Sequence, residues 1–345
     1  MMPAFRRRHG IIAGLVAAGV GLSGCYYAQA VRGHLDVMRK REPIAGIVAD
    51  ETTPAALADR LRLVAEARRF SIEALGLPDN DSYRSYADLE RDFVVWNVVA
   101  APEFALEPKT WCYPFVGCLS YRGYFAEAAA RNKAAALEAD GFDVAIGGVA
   151  AYSTLGRFDD PILNTMLHWG DHELVAVMFH ELAHQVVYVK GDTGFNESFA
   201  TAVEEIGLER WLTARGEQAA LADYRARRAL TRRMMAAIAV ARDELEALYA
   251  RDLPAAEKRE SKAGRLAALA AEIRALYAAE ERAAPVWVDG GLNNARIASM
   301  TLYHGLLPAF RNVLADCDDD LPCFYSAARA LAELDAGERA ARLGR

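Results

Sequence analysis

The sequence lacks features that mark several common classes of protein. It has no excess of positive charge, because 40 lysines and arginines face 47 acidic residues, and this argues against a nucleic-acid binder. The apolar run at residues 11–22 is shorter than the roughly 20 residues that a membrane-spanning helix needs. With 53% hydrophobic residues, the chain also lacks the composition of a disordered protein. Its 345 residues suffice for one large folded domain or two small ones.

Cysteine is scarce, and the five cysteines show no pairs with zinc-finger spacing. Cys112 and Cys118 enclose a short segment that contains proline and glycine, and Cys317 and Cys323 enclose a segment of equal length. In an exported protein, which meets an oxidising compartment, this spacing predicts two local disulfides, Cys112–Cys118 and Cys317–Cys323. A cysteine metal site is the alternative. Cys25 then remains without a partner.

The N-terminus has the organisation of an export signal. Three arginines at positions 6–8 precede the apolar run, and Leu22–Cys25 resembles a bacterial lipobox. This pattern predicts a lipoprotein signal peptide at residues 1–24, with cleavage before Cys25 and lipids on its thiol. An ordinary signal peptide that ends near a cysteine is the alternative. The remaining residues, 25–345, form one predicted domain.

The predicted lipoprotein would face the periplasm from the bacterial cell envelope. Tyr26, rather than Asp, follows Cys25, and this favours the outer membrane. Loss of the signal removes three arginines and no acidic residues, so the net charge changes from −7 to −10. A chain this acidic gains little from general attraction to anionic headgroups, and we expect the acyl chains on Cys25 to provide the anchor.

Hydrophobic periodicity predicts an α+β fold that is predominantly helical. The predicted helices before the middle of the chain cover residues 28–41, 54–75 and 126–140. The predicted strands are rich in β-branched and aromatic residues and cover residues 93–100, 113–124 and 144–152. They suggest a small β-sheet.

Residues 217–283 are rich in Ala, Arg, Leu and Glu, with a single break at residues 252–254. This composition predicts two long helices folded back as a hairpin. The mixed charges indicate a solvated structural arm, and a docking surface for an envelope partner is the alternative.

The strongest chemical signal is a pair of histidines four residues apart, His180 and His184, within a predicted helix over residues 173–189. Side chains at positions i and i+4 lie on the same face of a helix, so both imidazoles can bind one metal ion. Glu181 would lie beside the open position of that ion. There it can take a proton from water as a general base and pass it to the leaving amine. Two histidines that merely pack or face solvent are the alternative.

A third metal ligand is predicted thirteen residues after His184. A glycine-containing turn at residues 191–194 allows a second helix to fold back and present Glu197 to both histidines. Two histidines and one carboxylate leave the fourth position of a zinc ion open, as in catalytic sites. The sequence therefore predicts Zn²⁺ bound by His180, His184 and Glu197.

The segments HELAH and FNESFATAVE resemble the gluzincin metallopeptidases, particularly their aminopeptidases. The resemblance implies that His180, His184 and Glu197 bind zinc. It also implies that Glu181 is the general base and that Glu204 supports a histidine. The interval that is usual in gluzincins matches Glu204, whereas the Asn-Glu-x-Phe-Ala context favours Glu197 as the ligand.

The chain as a whole resembles the predicted aminopeptidase lipoproteins of proteobacteria. The shared segments include the lipobox, WCYPFVGCLSYRGYF, AYSTLGRFDDPIL and NNARIASMTLYHGLLPAF. This resemblance implies a gluzincin-like zinc peptidase domain, a peptide substrate and removal of N-terminal residues at the envelope membrane. A zinc-dependent endopeptidase, and a non-catalytic binding or assembly lipoprotein with a structural zinc, are the alternatives.

Peptide hydrolysis also requires a hydrogen-bond donor to the oxyanion. Tyr303 stands where the aminopeptidases place a late tyrosine, and the resemblance makes it the first candidate. Tyr152 and His304 are the alternatives.

The sequence departs from the aminopeptidases at the residue that would hold the free amine of the substrate. These enzymes carry a glutamate in a strand before the zinc helix, and residues 147–152 contain none. Asp159 and Asp160 follow and are the candidates for this role.

Overall fold

The computed structural model describes residues 26–113, 117–151 and 153–344. The predicted signal peptide and Cys25 lie outside the described residues. The lipidation of Cys25 therefore stays a prediction.

Helices make up most of the described chain, and the strands form small sheets, which confirms the prediction of a predominantly helical α+β fold. The helices are α1 (26–39), α2 (Ile44–Ala49), α3 (Ala55–Glu73), α4 (Glu127–Ala139), α5 (Asp171–Ala183), α6 (Thr193–Ala214), α7 (Gln218–Ala250), α8 (Ala255–Ala278), α9 (Asn294–His304), α10 (Leu307–Ala315), α11 (Leu321–Glu333) and α12 (Ala336–Arg342). No helix in the described part of the chain is both long and apolar enough to cross a membrane.

The strands are short, and they form two three-stranded sheets and a two-stranded ribbon. They are β1 (Arg41–Pro43), β2 (Ser85–Ala87), β3 (Val95–Pro102), β4 (Trp111–Tyr113), β5 (Gly117–Leu119), β6 (Arg122–Tyr124), β7 (Phe142–Val149) and β8 (Ile162–Leu163). In the first sheet β2 pairs antiparallel with β1 and parallel with β8. In the second, β3 is central and pairs antiparallel with both β6 and β7.

The ribbon of β4 and β5 carries one of the predicted disulfides. Cys112 and Cys118 stand directly opposite each other in the ribbon, and their sulfur atoms lie at bonding distance. Cys317 and Cys323 also lie at disulfide distance. Cys317 is in the turn before α11, and Cys323 is in the first turn of that helix. The two predicted local pairs are therefore the pairs that the structure forms.

The main core lies around the packed pair α5 and α6, with α3 against both. Phe179 of α5 and Phe195 and Phe199 of α6 are fully buried there. Burial of each such ring stabilises the fold by about 1.5–3 kcal/mol. Apolar packing therefore holds together the two helices that carry the predicted metal ligands.

Helices α7 and α8 pack against each other as a hairpin, joined by residues 251–254. Ile238 and Leu245 of α7 and Leu269 and Ile273 of α8 belong to a second apolar cluster. The hairpin is therefore held by its own core.

Lys262 of α8 connects the hairpin to the second sheet. The residue is buried, with 8% of its surface exposed, and its ammonium group donates to the Asp143 carboxylate at 2.6 Å and to the Glu103 carbonyl oxygen at 2.9 Å. The carboxylate also accepts a hydrogen bond from the backbone N–H of Asn294, where α9 begins. The hairpin is thus fastened to the body of the protein rather than projecting freely.

Helix α1 packs closely at Gly33, where a Cβ would overlap the ring of Phe125. We expect Gly33→Ala to lower the free energy of unfolding by about 1–3 kcal/mol, because an added methyl group must displace the ring. The matched control is Gly264→Ala on α8, where the added Cβ would meet no atom within 4 Å apart from its chain neighbours and the nearby backbone of its own helix. At that exposed helical position alanine should stabilise by about 0.5–1 kcal/mol. Urea denaturation of both variants measures the difference, and equal stabilisation would contradict the close packing of α1.

Candidate metal centre

The two predicted ligand helices meet through a short, well-fastened connection. The Asn196 side chain accepts from the backbone N–H of Val189 at 2.7 Å and donates to its carbonyl oxygen at 2.8 Å. The Asp192 side chain caps α6 by accepting from the backbone N–H of Phe195. These bonds fold α6 back onto α5, as the sequence predicts for the turn at residues 191–194.

Helix α5 ends earlier than the sequence predicts, at Ala183 rather than near residue 189. Gln185, two residues further on, explains this difference. Its side chain accepts a hydrogen bond from Asn80 at 2.7 Å and donates one to Ser82 at 3.2 Å. These tertiary hydrogen bonds draw the chain away from the helical path. His184 consequently lies at the C-cap, still one turn beyond His180.

His180, His184 and Glu197 converge, with ligand-type atoms that all lie within 4.8 Å of one another. The Glu197 Oε2 atom lies 3.3 Å from His180 Nε2 and 3.8 Å from His184 Nε2. All three side chains are at least 86% buried. The structure therefore brings together the three residues that the sequence predicts as ligands, each presenting one donor atom to a common point.

Glu204 lies on the other side of the His180 ring. Its Oε2 atom is 3.1 Å from His180 Nδ1, whereas Glu197 contacts Nε2. Because the two carboxylates are seven residues apart on α6, they lie about two turns apart on one face. The geometry favours Glu197 as the ligand and Glu204 as the residue that orients His180.

The electrostatics of the cluster fit a bound cation. Burial lowers the pKa of His184 to about 4, so its ring is neutral and its nitrogen lone pair is free to bind. Burial also opposes a charge on His180, but the hydrogen bonds that its ring donates to the carboxylates of Glu197 and Glu204 outweigh this effect and raise the pKa of the ring. Two carboxylates thus favour positive charge at His180, and a divalent cation bound at the same place would supply positive charge instead of a proton.

Two histidines and one carboxylate are also donor types that Zn²⁺ prefers, and all three side chains line one cavity. A set of three protein ligands would leave the fourth position of a tetrahedral zinc ion to water. The residues present therefore fit a zinc ion. Glu181 follows the first ligand and lines the same cavity. Burial raises the pKa of its carboxyl group to about 7, within the range of a general base that works near neutral pH.

A cavity of about 390 Å³ opens beside the cluster, between α5 and α6 on one side and the second sheet and the ribbon on the other. Most of the side chains that line it are apolar or aromatic, among them Tyr113, Tyr121 and Phe125. The ribbon lies close to the connection between the ligand helices. A Cβ on Gly117 would be only 3.1 Å from the backbone nitrogen of Gly191. Gly117 also has a positive φ of 84°, which favours glycine there.

The predicted anchors for a substrate amine do not reach this cavity. Among the described residues that line it, Glu181 and Glu197 are the carboxylates, and neither Asp159 nor Asp160 is included. The Asp160 carboxylate is buried instead and accepts from the backbone N–H and hydroxyl of Thr154, both at 2.8 Å. The Asp160 carboxylate therefore holds together the loop between residues 154 and 160 and is not part of the cavity wall.

The three candidates for the oxyanion donor stay predictions. Tyr152 and the side chains of Tyr303 and His304 lie outside what the structure describes, although α9, which carries the last two, packs against α6. Tyr188, which the sequence analysis did not single out, lines the cavity. Burial, and then the charge of Glu197, raise the pKa of its hydroxyl group. Tyr188 lies beyond the end of α5, so helical spacing from His184 does not predict its place on the cavity wall.

The contact between Glu204 and His180 predicts that Glu204 supports zinc binding without being a ligand. Glu204→Gln should weaken zinc binding by about 10–100-fold, because the amide orients the imidazole less firmly and makes it less basic. Glu209→Gln is the control, since Glu209 lies further along α6 and pairs with Arg225 at the surface. Zinc titration against a competing chelator measures both affinities. Equal affinities for the two variants would show that Glu204 does not support the site.

Comparison with known proteins bears on the identity of the chain. Neither a curated protein nor a solved structure gives a significant match. The sequence model of the family described as "Putative aminopeptidase" matches residues 25–343, nearly the whole chain, including both ligand helices. The chain therefore belongs to this aminopeptidase family.

Proposed function

We propose that the protein is a zinc-dependent peptidase, and more specifically an aminopeptidase of the gluzincin type. The observation that carries the proposal is the convergence of His180, His184 and Glu197, with Glu181 beside them on a cavity wall. Membership of the aminopeptidase family supports a peptide as the substrate. A purely structural zinc site closes its fourth position with a protein ligand, so an open position next to a carboxylate favours an enzyme over a non-catalytic lipoprotein.

In the proposed mechanism the chain's own residues position the substrate and move a proton. A zinc ion held by the three ligands supplies Lewis acidity and lowers the pKa of water at the site. Glu181 accepts the proton of the attacking water and delivers it to the nitrogen of the leaving amine. The apolar cavity walls exclude bulk water and so strengthen these electrostatic interactions. Tyr303 is the proposed donor to the oxyanion, with Tyr152 and His304 as the other candidates.

Endopeptidase action is the second candidate, because the described cavity wall offers no carboxylate besides Glu181 and the ligand Glu197 to bind a free amine. Hydrolysis of one peptide sequence with a free and with an N-acetylated terminus distinguishes the two. An aminopeptidase should cleave the free peptide and spare the acetylated one, because acetylation removes the positive charge that it recognises. Equal cleavage of internal bonds in both peptides would identify an endopeptidase.

We also propose that the protein acts at the cell envelope as a lipoprotein anchored through Cys25, facing the periplasm from the outer membrane. The lipobox supports this location, and so do two cysteine pairs at disulfide distance, since disulfides persist in oxidising compartments. Mass spectrometry of the N-terminal peptide tests it. Acyl chains on Cys25 are the expected result, whereas an unmodified N-terminus at another residue would indicate an ordinary signal peptide.

A further inference from the structure

Large apolar side chains that are exposed to solvent concentrate on one patch of the described chain. Six such side chains are strongly exposed, and four of them lie in this patch: Tyr27 (44%), Val31 (59%), Leu35 (54%) and Phe158 (53%). The first three are spaced four residues apart on α1 and so form a stripe along one face, which we call the α1 stripe. Phe158 lies beside this helix, with its ring 4.6 Å from that of His34. An exposed apolar patch of this kind marks an interaction surface.

The charges around the α1 stripe are mainly positive. Arg39 continues the stripe by one turn, and Arg32 is exposed beside it. Asp36 is half-buried and lies 3.8 Å from the Arg39 guanidinium, which itself remains 79% exposed. The region is therefore basic although the chain as a whole is acidic. Apolar residues flanked by arginines are typical of helices that lie in the headgroup region of a membrane, where tyrosine is also favoured.

A neighbouring face of α1 packs against the wall of the metal cavity. Tyr26 stacks on Tyr113 with ring centroids 5.7 Å apart, and their hydroxyl groups are 3.2 Å apart. The Arg122 guanidinium lies 3.9 Å from the centre of the Tyr26 ring. Tyr26 and Ala30 themselves line the cavity. One helix thus has an exposed apolar face and a second face that forms part of the candidate active site.

We infer that the α1 stripe lies in the headgroup region of a phospholipid bilayer and holds the metal cavity next to the membrane surface. This inference rests on the proposed anchoring through Cys25, which directly precedes α1. Acyl chains at that position bring the first turn of the helix to the bilayer, and the stripe then buries its apolar side chains beside them. Peptide segments close to the membrane surface would be the substrates that reach the cavity most easily.

The test uses the full lipidated chain in vesicles of phosphatidylethanolamine and phosphatidylglycerol. An environment-sensitive fluorophore is attached to Val31→Cys and, as the matched control, to Val240→Cys on α7, where the valine is exposed to a similar extent (54%). Four native cysteines lie in two pairs at disulfide distance, and an acylated Cys25 takes no label. We expect a blue shift and quenching by brominated lipids at position 31, and neither effect at position 240.

The outcomes separate this inference from the proposed function. Emission typical of water at position 31, in protein that sediments with the vesicles, would overturn the orientation and leave the lipid anchor in place. A blue shift without quenching by brominated lipids would show that a second copy covers the stripe, and it would also overturn the inference. Failure to sediment would overturn both the anchor and the orientation. Hydrolysis of a soluble peptide by the same sample tests the peptidase proposal independently.

Discussion

Replacing Glu181 with glutamine should reduce peptide hydrolysis on the order of 10²–10⁴-fold, the usual contribution of a general base. The amide has nearly the same shape as the carboxylate but cannot accept the proton of the attacking water. Because Glu181 is not among the three converging ligands, the variant should bind zinc as tightly as the wild type. Steady-state hydrolysis of a peptide and the metal content of the same sample test both expectations.

The matched control for this variant is Glu173→Gln. Glu173 lies in the first turn of the same helix, two turns before Glu181, and its exposed carboxylate is 3.5 Å from Arg227. A surface ion pair of this kind contributes little, so both activity and stability should stay close to those of the wild type. Full activity in Glu181→Gln would contradict the proposed mechanism, and a similar loss in Glu173→Gln would indicate damage to the helix instead.

Replacing Glu197 with glutamine should cost more zinc affinity than replacing Glu204. Without the Glu197 carboxylate only the two histidines remain as ligands, and the site loses one negative charge. We therefore expect zinc affinity to fall by more than the about 10–100-fold that a residue outside the ligand set contributes. Hydrolysis should fall with the bound metal. Calorimetric titration of both variants with zinc gives the order of the two losses. A larger loss in Glu204→Gln would show that Glu204 is the third ligand, as the usual gluzincin interval suggests.

Zinc should also stabilise the wild-type fold more than it stabilises the fold of Glu197→Gln. A ligand that binds only the folded state adds about 2.7 kcal/mol at a concentration 100 times its Kd. Zinc should therefore raise the Tm of the wild-type protein clearly and that of Glu197→Gln hardly at all. An equal rise in both would mean that zinc binds elsewhere.

The arrangement of the candidate ligands could be predicted because it depends on local geometry. The four-residue spacing of His180 and His184 places both on one helical face, and the turn after α5 returns α6 to it. The positions of Glu197 and Glu204 on opposite sides of the His180 ring follow from their seven-residue spacing once α6 packs against α5. Helical periodicity was also enough to predict that the fold is predominantly helical and that α7 and α8 form a long pair.

Features that depend on distant contacts could not be predicted. Helix α5 ends at Ala183 because Gln185 bonds to residues about 100 positions earlier, and no local signal marks that end. The cavity wall combines α1, the second sheet and the ribbon, which only the tertiary fold brings together. For the same reason, Asp160 was a reasonable candidate for an amine anchor from its position in the sequence, although its carboxylate binds Thr154.

The most direct measurement is peptide hydrolysis by the purified chain as isolated, after complete removal of metal by a chelator, and after zinc is returned. We predict that cleavage disappears with the metal and recovers in proportion to zinc, up to one ion per His180–His184–Glu197 site. Cleavage that persists in metal-free protein, or zinc-loaded protein that cleaves no member of a peptide library, would contradict the assignment of a zinc peptidase.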